Sequence, residues 1–382
     1  MRIGLNLLQT RPEVGGIWNY ALRLTSALGK YDTINQYVAF VTQKHPFPLP
    51  DTPNFQVVPV NLPTSNLARI AYENSLLHHM TRIHHLDILH WFGNTQSLFS
   101  PVPDVVSVHD LMLFETGCFT PIKRLYLKTM MRHTVKRSAW LLPVSHTTAN
   151  NLRRFLNAAP RRMTVLPAIV DEKFQPASAD KIAAFRRHHH LPDIFWLYVG
   201  HFYPHKNHIR LLHAHHALKS RGFRPWPLVF RGDDHGEWGA IRRAIERLGL
   251  QNDVFRLPRL DEEAMPVLFS AAGGLVFPSL YEGGGIPVLE AMACGCPVIA
   301  SDIPAVREFG GDDVRRFDPL DIASIAAHIR ELQERFPVSS PNRRPLQNRF
   351  EAHHPQRIAT RIMDAYLSLR RRTPPRPLHG GI

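Results

Sequence analysis

The stretch SLYEGGGIPVLEAMACGCPVIAS, residues 279–301, sets two acids across a glycine turn. Glu282 and Glu290 are eight positions apart, with Gly283, Gly284, Gly285, Ile286 and Pro287 between them and an apolar helical pattern around the second. Proline suits the first turn of a helix, where its missing N–H would have had no partner, and Gly295 suits the C-terminal cap. The spacing therefore predicts a helix that starts just after the glycines, which let the backbone approach a ligand closely. Free N–H groups and the helix dipole make that end an anion site. Glu282 falls just before the helix and Glu290 about one turn inside it, one carboxylate on each side of a bound phosphate. A carboxylate accepts both hydroxyls of a cis-diol, which is the ribose of a nucleotide. The other carboxylate then faces whatever the diphosphate carries, and a nucleoside diphosphate-sugar fits.

The elements that must hold these groups alternate between strand and helix. In the first half, strand patterns cover 1–8, 37–42, 55–60, 87–92, 104–109, 140–144 and 163–166, with helix patterns at 17–29, 66–83 and 121–137. The second half repeats the alternation, with strands at 194–199, 227–231, 253–257, 274–278 and 297–301 and helices near 208–221, 238–248 and 262–271. Such alternation implies parallel sheets covered on both faces. The expected fold is α/β: two Rossmann-like, doubly wound domains facing across a cleft, where ligands bind beyond the carboxyl ends of the strands. Residues 177–191 lack strand character and mark the junction. The first domain is expected at 1–180, with a last helix at 356–371 packing back on it. The second is expected at 192–355, followed by a Pro-rich disordered tail at 372–382.

Composition narrows the class less. The 382 residues carry 46 Lys and Arg against 32 Asp and Glu, a formal charge of +14. That surplus favours acidic partners without choosing among nucleic acid, anionic lipid and phosphorylated substrates, and no nucleic-acid recognition motif accompanies it. Three cysteines, Cys118, Cys294 and Cys296, with no CxxC, argue against a disulfide framework or a thiolate zinc site. The opening MRIGLNLLQTRPEVGG reads as a first strand and not a signal peptide. No apolar run nears the roughly 20 residues of a spanning helix. A cytoplasmic protein is expected, with at most a peripheral contact at the inner face of the membrane.

In this context the glutamate pair resembles the signature of the retaining glycosyltransferases of family 4, the GT-B type. GGIWNYALRL (15–24) is similar to the family's N-terminal glycine loop and first helix, VSVHDLMLFE (106–115) to its His-Asp element, and YVGHFYPHKNHIRLL (198–212) to its Gly…Lys-Asn motif. LPVSHTTANNL (142–152) and VLPAIVDEKFQP (165–176) match the segments before the junction. The resemblance implies a role for each matching position. Glu290 would bind the ribose hydroxyls. Glu282 would contact the donor sugar and help stabilise charge as the bond breaks. The backbone around Gly284, Gly285 and Ile286 would hold sugar and phosphate. Lys206 would neutralise the diphosphate, whose charge rises in the transition state. His109 would lie at the sugar's anomeric face, and Gly15 and Gly16 would let the first domain's loop reach the phosphate. No metal or other cofactor is implied, and Asp233-Asp234 lacks the spacer of an Asp-x-Asp metal site.

The chain departs from the family in three places. Gly284 stands where the family usually has Phe, and Pro258 where a glycine is expected near the base pocket. His201 and His205 stand where an Arg often accompanies the motif lysine. If their charge faces the diphosphate, affinity should fall as pH rises through neutrality, with Arg231 a substitute cation. The overall pattern is closest to mannosyl members of bacterial surface-polysaccharide pathways. The implied function is transfer of a hexose, mannose from GDP-mannose first, to a saccharide or polyprenyl-linked saccharide acceptor. A UDP-hexose donor and a non-catalytic, membrane-peripheral nucleotide-binding protein are the alternatives. The basic helix pattern at 123–140 could meet a membrane surface. His188–His190 and the pair His213 and His216 read as solvated or core histidines and not as metal ligands.

Overall fold

The computed structural model describes residues 1–12, 15–116, 120–335 and 347–372. Cys118 and the tail beyond Arg372 lie outside the described residues. The strands are β1 (Arg2–Asn6), β2 (Gln36–Thr42), β3 (Phe55–Val60), β4 (Ile88–Trp91), β5 (Asp104–Val108), β6 (Trp140–Pro143), β7 (Trp196–Val199), β8 (Leu228–Arg231), β9 (Val254–Leu257), β10 (Gly274–Phe277), β11 (Val298–Ser301) and β12 (Arg315–Phe317). The helices are α1 (Gly16–Tyr31), α2 (Asn66–Glu73), α3 (Leu76–Ile83), α4 (Met112–Glu115), α5 (Pro121–Arg137), α6 (His146–Leu156), α7 (Ala179–His188), α8 (His208–Ser220), α9 (Trp238–Arg247), α10 (Met265–Ala271), α11 (Ile286–Ala293), α12 (Pro304–Gly310), α13 (Ile322–Arg335) and α14 (Pro355–Arg372).

The strands form two six-stranded sheets, ordered β3-β2-β1-β4-β5-β6 and β12-β11-β10-β7-β8-β9, and every pairing is parallel. Parallel strands buried on both faces read as near-continuous apolar runs. That is why Ile88–Trp91, Trp196–Val199 and Gly274–Phe277, all fully buried, are legible without alternation. In each sheet the chain builds outward on one side of its first strand, then returns to the other side. The switch point lies between β1 and β4 in the first sheet and between β7 and β10 in the second.

The chain divides into two compact units, Met1–Ile169 with Ala352–Ile382, and Val170–Glu351. The junction therefore falls earlier than the expected 177–191. Val170 and Phe174 already belong to the second unit's core. Arg186 Nη2 donates to Ala271 O on α10 at 2.6 Å, and Ala177 N donates to Ser270 Oγ at 3.0 Å. In the first unit, α14 sets Ile358, Ile362, Tyr366 and Leu369 into the core beside Tyr20, Leu24 and Leu28 of α1.

Three other expectations change. The helix pattern at 66–83 breaks into α2 and α3, because Asn74 Nδ2 and Ser75 Oγ donate to Ile70 O and Ala71 O and so compete with the backbone ladder. The strand pattern at 163–166 is reduced to one bridge from Met163 to Leu141. β12, short and carrying Arg315 and Arg316, gave no apolar signal.

Candidate active site

The second unit gathers most of the expected residues at the carboxyl end of its sheet. β7 runs into the loop that carries His201, His205 and Lys206. β8 ends on Arg231, and β10 runs through Ser279 and Glu282 into α11. One backbone and one side-chain clamp fix the neighbouring loops: Leu280 N donates to His205 O at 2.8 Å, and Asn207 Nδ2 donates to Pro278 O at 3.0 Å and Pro319 O at 2.8 Å. Asn207 takes a left-handed conformation, φ 63°, which asparagine tolerates better than most residues. It turns the chain from the Lys206 loop into α8. The family motif pointed to Lys206. The tie made by Asn207 was not foreseen.

Lys206 and Glu282 meet in an ion pair, Nζ to Oε1 at 2.5 Å, with side chains only 15% and 12% exposed. The ammonium also stands 5.8 Å from the Phe277 ring centroid. Glu290 is buried on α11. The helix starts at Gly285, φ 49°, where an added Cβ would meet the Phe309 ring at 3.2 Å. Both the left-handed backbone and the close approach require glycine. Gly284 precedes it in the half-buried turn, and Ile286 is the first helical residue. The helix closes as expected at Gly295, φ 69°: Cys296 N donates to Ala291 O and Gly295 N to Met292 O.

In the ligand-free protein the two histidines are held neutral. Burial and the neighbouring His235 hold His201 down to about 4, although Asp233 opposes the shift. Asp233 N donates to His201 Nδ1 at 3.3 Å, so the ring proton sits on Nε2. Burial and the adjacent Lys206 ammonium hold His205 down to about 4 against Glu282. Without ligand both rings are therefore neutral at pH 7, and a loss of diphosphate affinity through neutrality requires the bound phosphate to raise one of them. Fixed positive charge at this edge comes from Lys206 and Arg231, whose Nη2 donates to Leu260 O at 3.2 Å. Burial lowers Arg231, and the acids Asp233, Glu262 and Glu290 oppose that shift.

β7, the start of α8 and the turn after β10 carry polar atoms that sequence reading passed over. Tyr198 OH, both ring nitrogens of His208 and Ser279 Oγ are buried without a hydrogen-bond partner. His208 sits among the Tyr198, Phe202 and Phe230 rings at 4.3–5.4 Å, and burial lowers it to about 3.

Gly15, Gly16 and His109 belong to the first unit. Gly15, φ 54°, is the N-cap of α1, and a Cβ on Gly16 would meet nothing within 4 Å. His109 follows β5. Its backbone N donates to Asn94 Oδ1 at 2.7 Å, and its Nε2 lies 2.7 Å from Phe92 O. A carbonyl only accepts, so Nε2 carries the proton and Nδ1 keeps its lone pair. Burial holds the ring at about 4. Neutral His109 is an acceptor at Nδ1. Among the described residues no group of three or more His, Cys, Asp or Glu is placed to hold a metal ion. Of the pair His213 and His216, His216 Nδ1 lies 3.0 Å from Leu248 O, and the buried His215 between them lies 3.1 Å from Trp226 O through Nε2.

Two doubly wound parallel sheets with charged groups drawn to a switch point are the plan of the GT-B glycosyltransferases. Solved structures of that fold resemble the chain throughout. Sucrose-phosphate synthase from Thermosynechococcus elongatus is 18% identical, covering 98% of this chain and 100% of its own, with a TM-score of 0.79. WaaG, a glycosyltransferase involved in lipopolysaccharide biosynthesis, is 16% identical over 97% of this chain and 98% of its own, with a TM-score of 0.69. The chain belongs to the family 4 glycosyltransferases: the family model described as Glycosyltransferase Family 4 matches residues 14–174, and Glycosyl transferases group 1 matches residues 181–343. Among curated relatives, O-antigen chain mannosyltransferase B of Escherichia coli is 29% identical over 59% of this chain and 60% of its own length. O-antigen chain mannosyltransferase RfbU of Salmonella typhimurium is 24% identical over 86% of this chain and 90% of its own.

Proposed function

We propose that this glycosyltransferase moves mannose, with retention, from GDP-mannose to a saccharide or lipid-linked saccharide acceptor in cell-surface polysaccharide assembly. The observation that carries the chemistry is the Lys206–Glu282 pair at the switch point of the second sheet, beside the glycine-capped start of α11. The names of the relatives support mannose as the sugar. In this reading Glu290 accepts the ribose hydroxyls, and Lys206 and Arg231 meet the diphosphate. The backbone at Gly284, Gly285 and Ile286 lines the sugar and phosphate, and the neutral rings of His201 and His205 border it. The family resemblance assigns Gly15 and Gly16 to the donor's phosphate. His109, with Nδ1 free to accept, stands at the anomeric face. The acceptor hydroxyl attacks the anomeric carbon on the leaving-group side, the bond from that carbon to the phosphate oxygen breaks, and that oxygen takes the hydroxyl proton. The two cations serve in place of a metal ion.

A thermal-shift titration in chelator tests this reading. GDP should raise the melting temperature more than UDP, since ligand bound to the native state stabilises it by mass action. In Glu290→Ala the GDP shift should shrink, because a lost hydrogen bond to a charged acceptor costs roughly 1.5–3 kcal/mol. Full GDP affinity in that variant removes the ribose role. A larger shift with UDP changes the donor.

The acceptor side of the proposal rests on α5. The helix carries Lys123, Arg124, Lys128, Arg132, Lys136 and Arg137 and no acid. Ile122, Leu125 and Tyr126 are 85%, 67% and 45% exposed. The apolar residues thus face solvent among cations, and only Met131, Thr134 and Val135 are buried. We read this face as docking on an anionic lipid surface, where each cation near the surface contributes about 1 kcal/mol. No helix among the described residues is long and apolar enough to cross a membrane. The protein should float with phosphatidylglycerol vesicles and release at high salt. Leu125→Glu should abolish flotation. Equal binding to neutral vesicles would count against the cationic face.

A further inference from the structure

β4 carries a histidine where its neighbours are all apolar. His90 is 0% exposed between Leu89 and Trp91. A polar ring in that position costs free energy unless its nitrogens are satisfied, and both are. Its Nδ1 lies 2.7 Å from Tyr366 OH, on α14, and its Nε2 lies 2.9 Å from Ser107 Oγ, on β5. Ser107 Oγ is in turn 3.1 Å from Tyr20 OH, on α1. The four residues form a buried polar chain across the first unit.

Both ends of the restraint on His109 lead back to this chain. The Tyr20 ring packs edge-on against the His109 ring, centroids 4.8 Å apart at 89°. The His90 ring stacks on Phe92, centroids 4.3 Å apart at 25°, and the Phe92 carbonyl takes the His109 Nε2 proton. One route fixes where the His109 ring sits, and the other fixes which of its nitrogens carries hydrogen. We infer that Tyr366, His90, Ser107 and Tyr20 are positioning residues, through which the C-terminal helix holds His109 in the ring position and tautomer used in transfer. The inference rests on the reading of His109 as the group at the sugar's anomeric face.

The chemistry of His90 makes the chain directional. Burial, with His109 nearby, holds His90 at about 3, so the ring is neutral and one nitrogen donates while the other accepts. Either Tyr366 donates to Nδ1 and Nε2 donates to Ser107, or every bond reverses. Removing the Tyr366 hydroxyl leaves His90 Nδ1 unpaired in a site with no solvent, and since neither tautomer can pair it there, the ring must turn toward another partner. Phe92 and Tyr20 then shift under His109.

Tyr366→Phe tests the chain, because it keeps the ring and removes only the hydroxyl. The expected result is a fall in kcat of roughly ten- to a hundred-fold, the scale of a small misplacement at a reacting centre, with the donor KM within about two-fold of wild type. The ring-nitrogen NMR signals of His109 should move from one tautomer toward a mixture. Ser107→Ala should give the same pattern from the other side of His90. Leu369→Ala, on the same helix and in the same core, should lower the melting temperature and leave the His109 signals in place. Unchanged His109 signals in Tyr366→Phe overturn the inference, as does an equal change in Leu369→Ala. His109→Gln separates the two readings. Wild-type kcat in that variant removes the role of His109 itself, while the ring spectra still report whether α14 positions it.

Discussion

Glu282→Gln should bind nucleoside diphosphate more tightly than the wild type and transfer sugar far more slowly. The two effects have opposite signs because Glu282 has two partners in turn. In the free protein its carboxylate takes the Lys206 ammonium at 2.5 Å, in a setting where both side chains are largely buried. A diphosphate that needs the same ammonium must first displace that contact. A charge-assisted bond is worth about 1.5 kcal/mol or more, so a neutral amide at 282 should tighten GDP by roughly ten-fold. In the proposed reaction the freed carboxylate turns to the donor sugar and meets the positive charge that develops at the anomeric carbon. Losing a preorganised charge of that kind costs about 10²–10³ in kcat. Lys206→Ala should reduce turnover more than donor binding, because the leaving-group charge it meets grows as the bond breaks. It also strands a buried carboxylate, which is destabilising in its own right. Calorimetry with GDP and single-turnover transfer read the two arms for Glu282→Gln. GDP affinity at or below the wild-type value would falsify the competition.

Acid should unfold the protein well before carboxylate titration alone would do so. Burial holds His90 and His208 at about 3, and His109, His201 and His205 at about 4. In the unfolded chain each titrates near 6.5. Between pH 6.5 and 4 the unfolded state therefore binds more protons, and stability falls as pH falls. Asp104 acts in the opposite sense, since burial raises it to about 7 and the folded state holds its proton longer. That counterweight lies in the first unit with His90 and His109, whereas in the second unit burial lowers His215 as well as His201, His205 and His208, and among the described residues there only the part-exposed Glu237 is a raised carboxyl. A net uptake of three protons there corresponds to a slope of about 4 kcal/mol per pH unit, against a total stability of about 5–15 kcal/mol for a typical protein. The second unit should therefore lose its structure first as the solution is acidified from pH 7 toward 5. Scanning calorimetry across that range measures the loss. His208→Phe should reduce it, because the ring sits in an aromatic cage and neither nitrogen has a partner. A melting temperature level from pH 7.5 to 5 would remove the neutral-histidine account.

What the chain disclosed beforehand follows from how local each signal is. The sheets were legible because buried parallel strands are contiguous apolar runs, and α11 because Pro287 and Gly295 mark its ends within one short stretch. β12 escaped because its three residues include Arg315 and Arg316, and only pairing with β11 makes them a strand. The break between α2 and α3 turns on the side chains of Asn74 and Ser75, which the apolar periodicity at 66–83 overrode. At the candidate site, residue types and order singled out Lys206, Glu282 and Glu290, but the contact between Lys206 and Glu282 joins positions 76 apart. The charge state of His201 and His205 depends on burial, which a sequence does not display. His90 looked like one more strand residue, and its partners come from β5 and from α14, 276 positions away.

The return of α14 to the first sheet sets an order on synthesis. Residues 1–169 leave the ribosome first, yet their core stays open until Ile358, Ile362, Tyr366 and Leu369 arrive. The whole second unit, Val170–Glu351, emerges in between. At about 5–20 residues per second, the first sheet waits roughly ten to forty seconds with the apolar groove for α14 uncovered. The later-made unit is thus the first with a complete core. The nascent chain is most exposed to chaperones and to misassociation along the face of α1, where Tyr20, Leu24 and Leu28 await the helix.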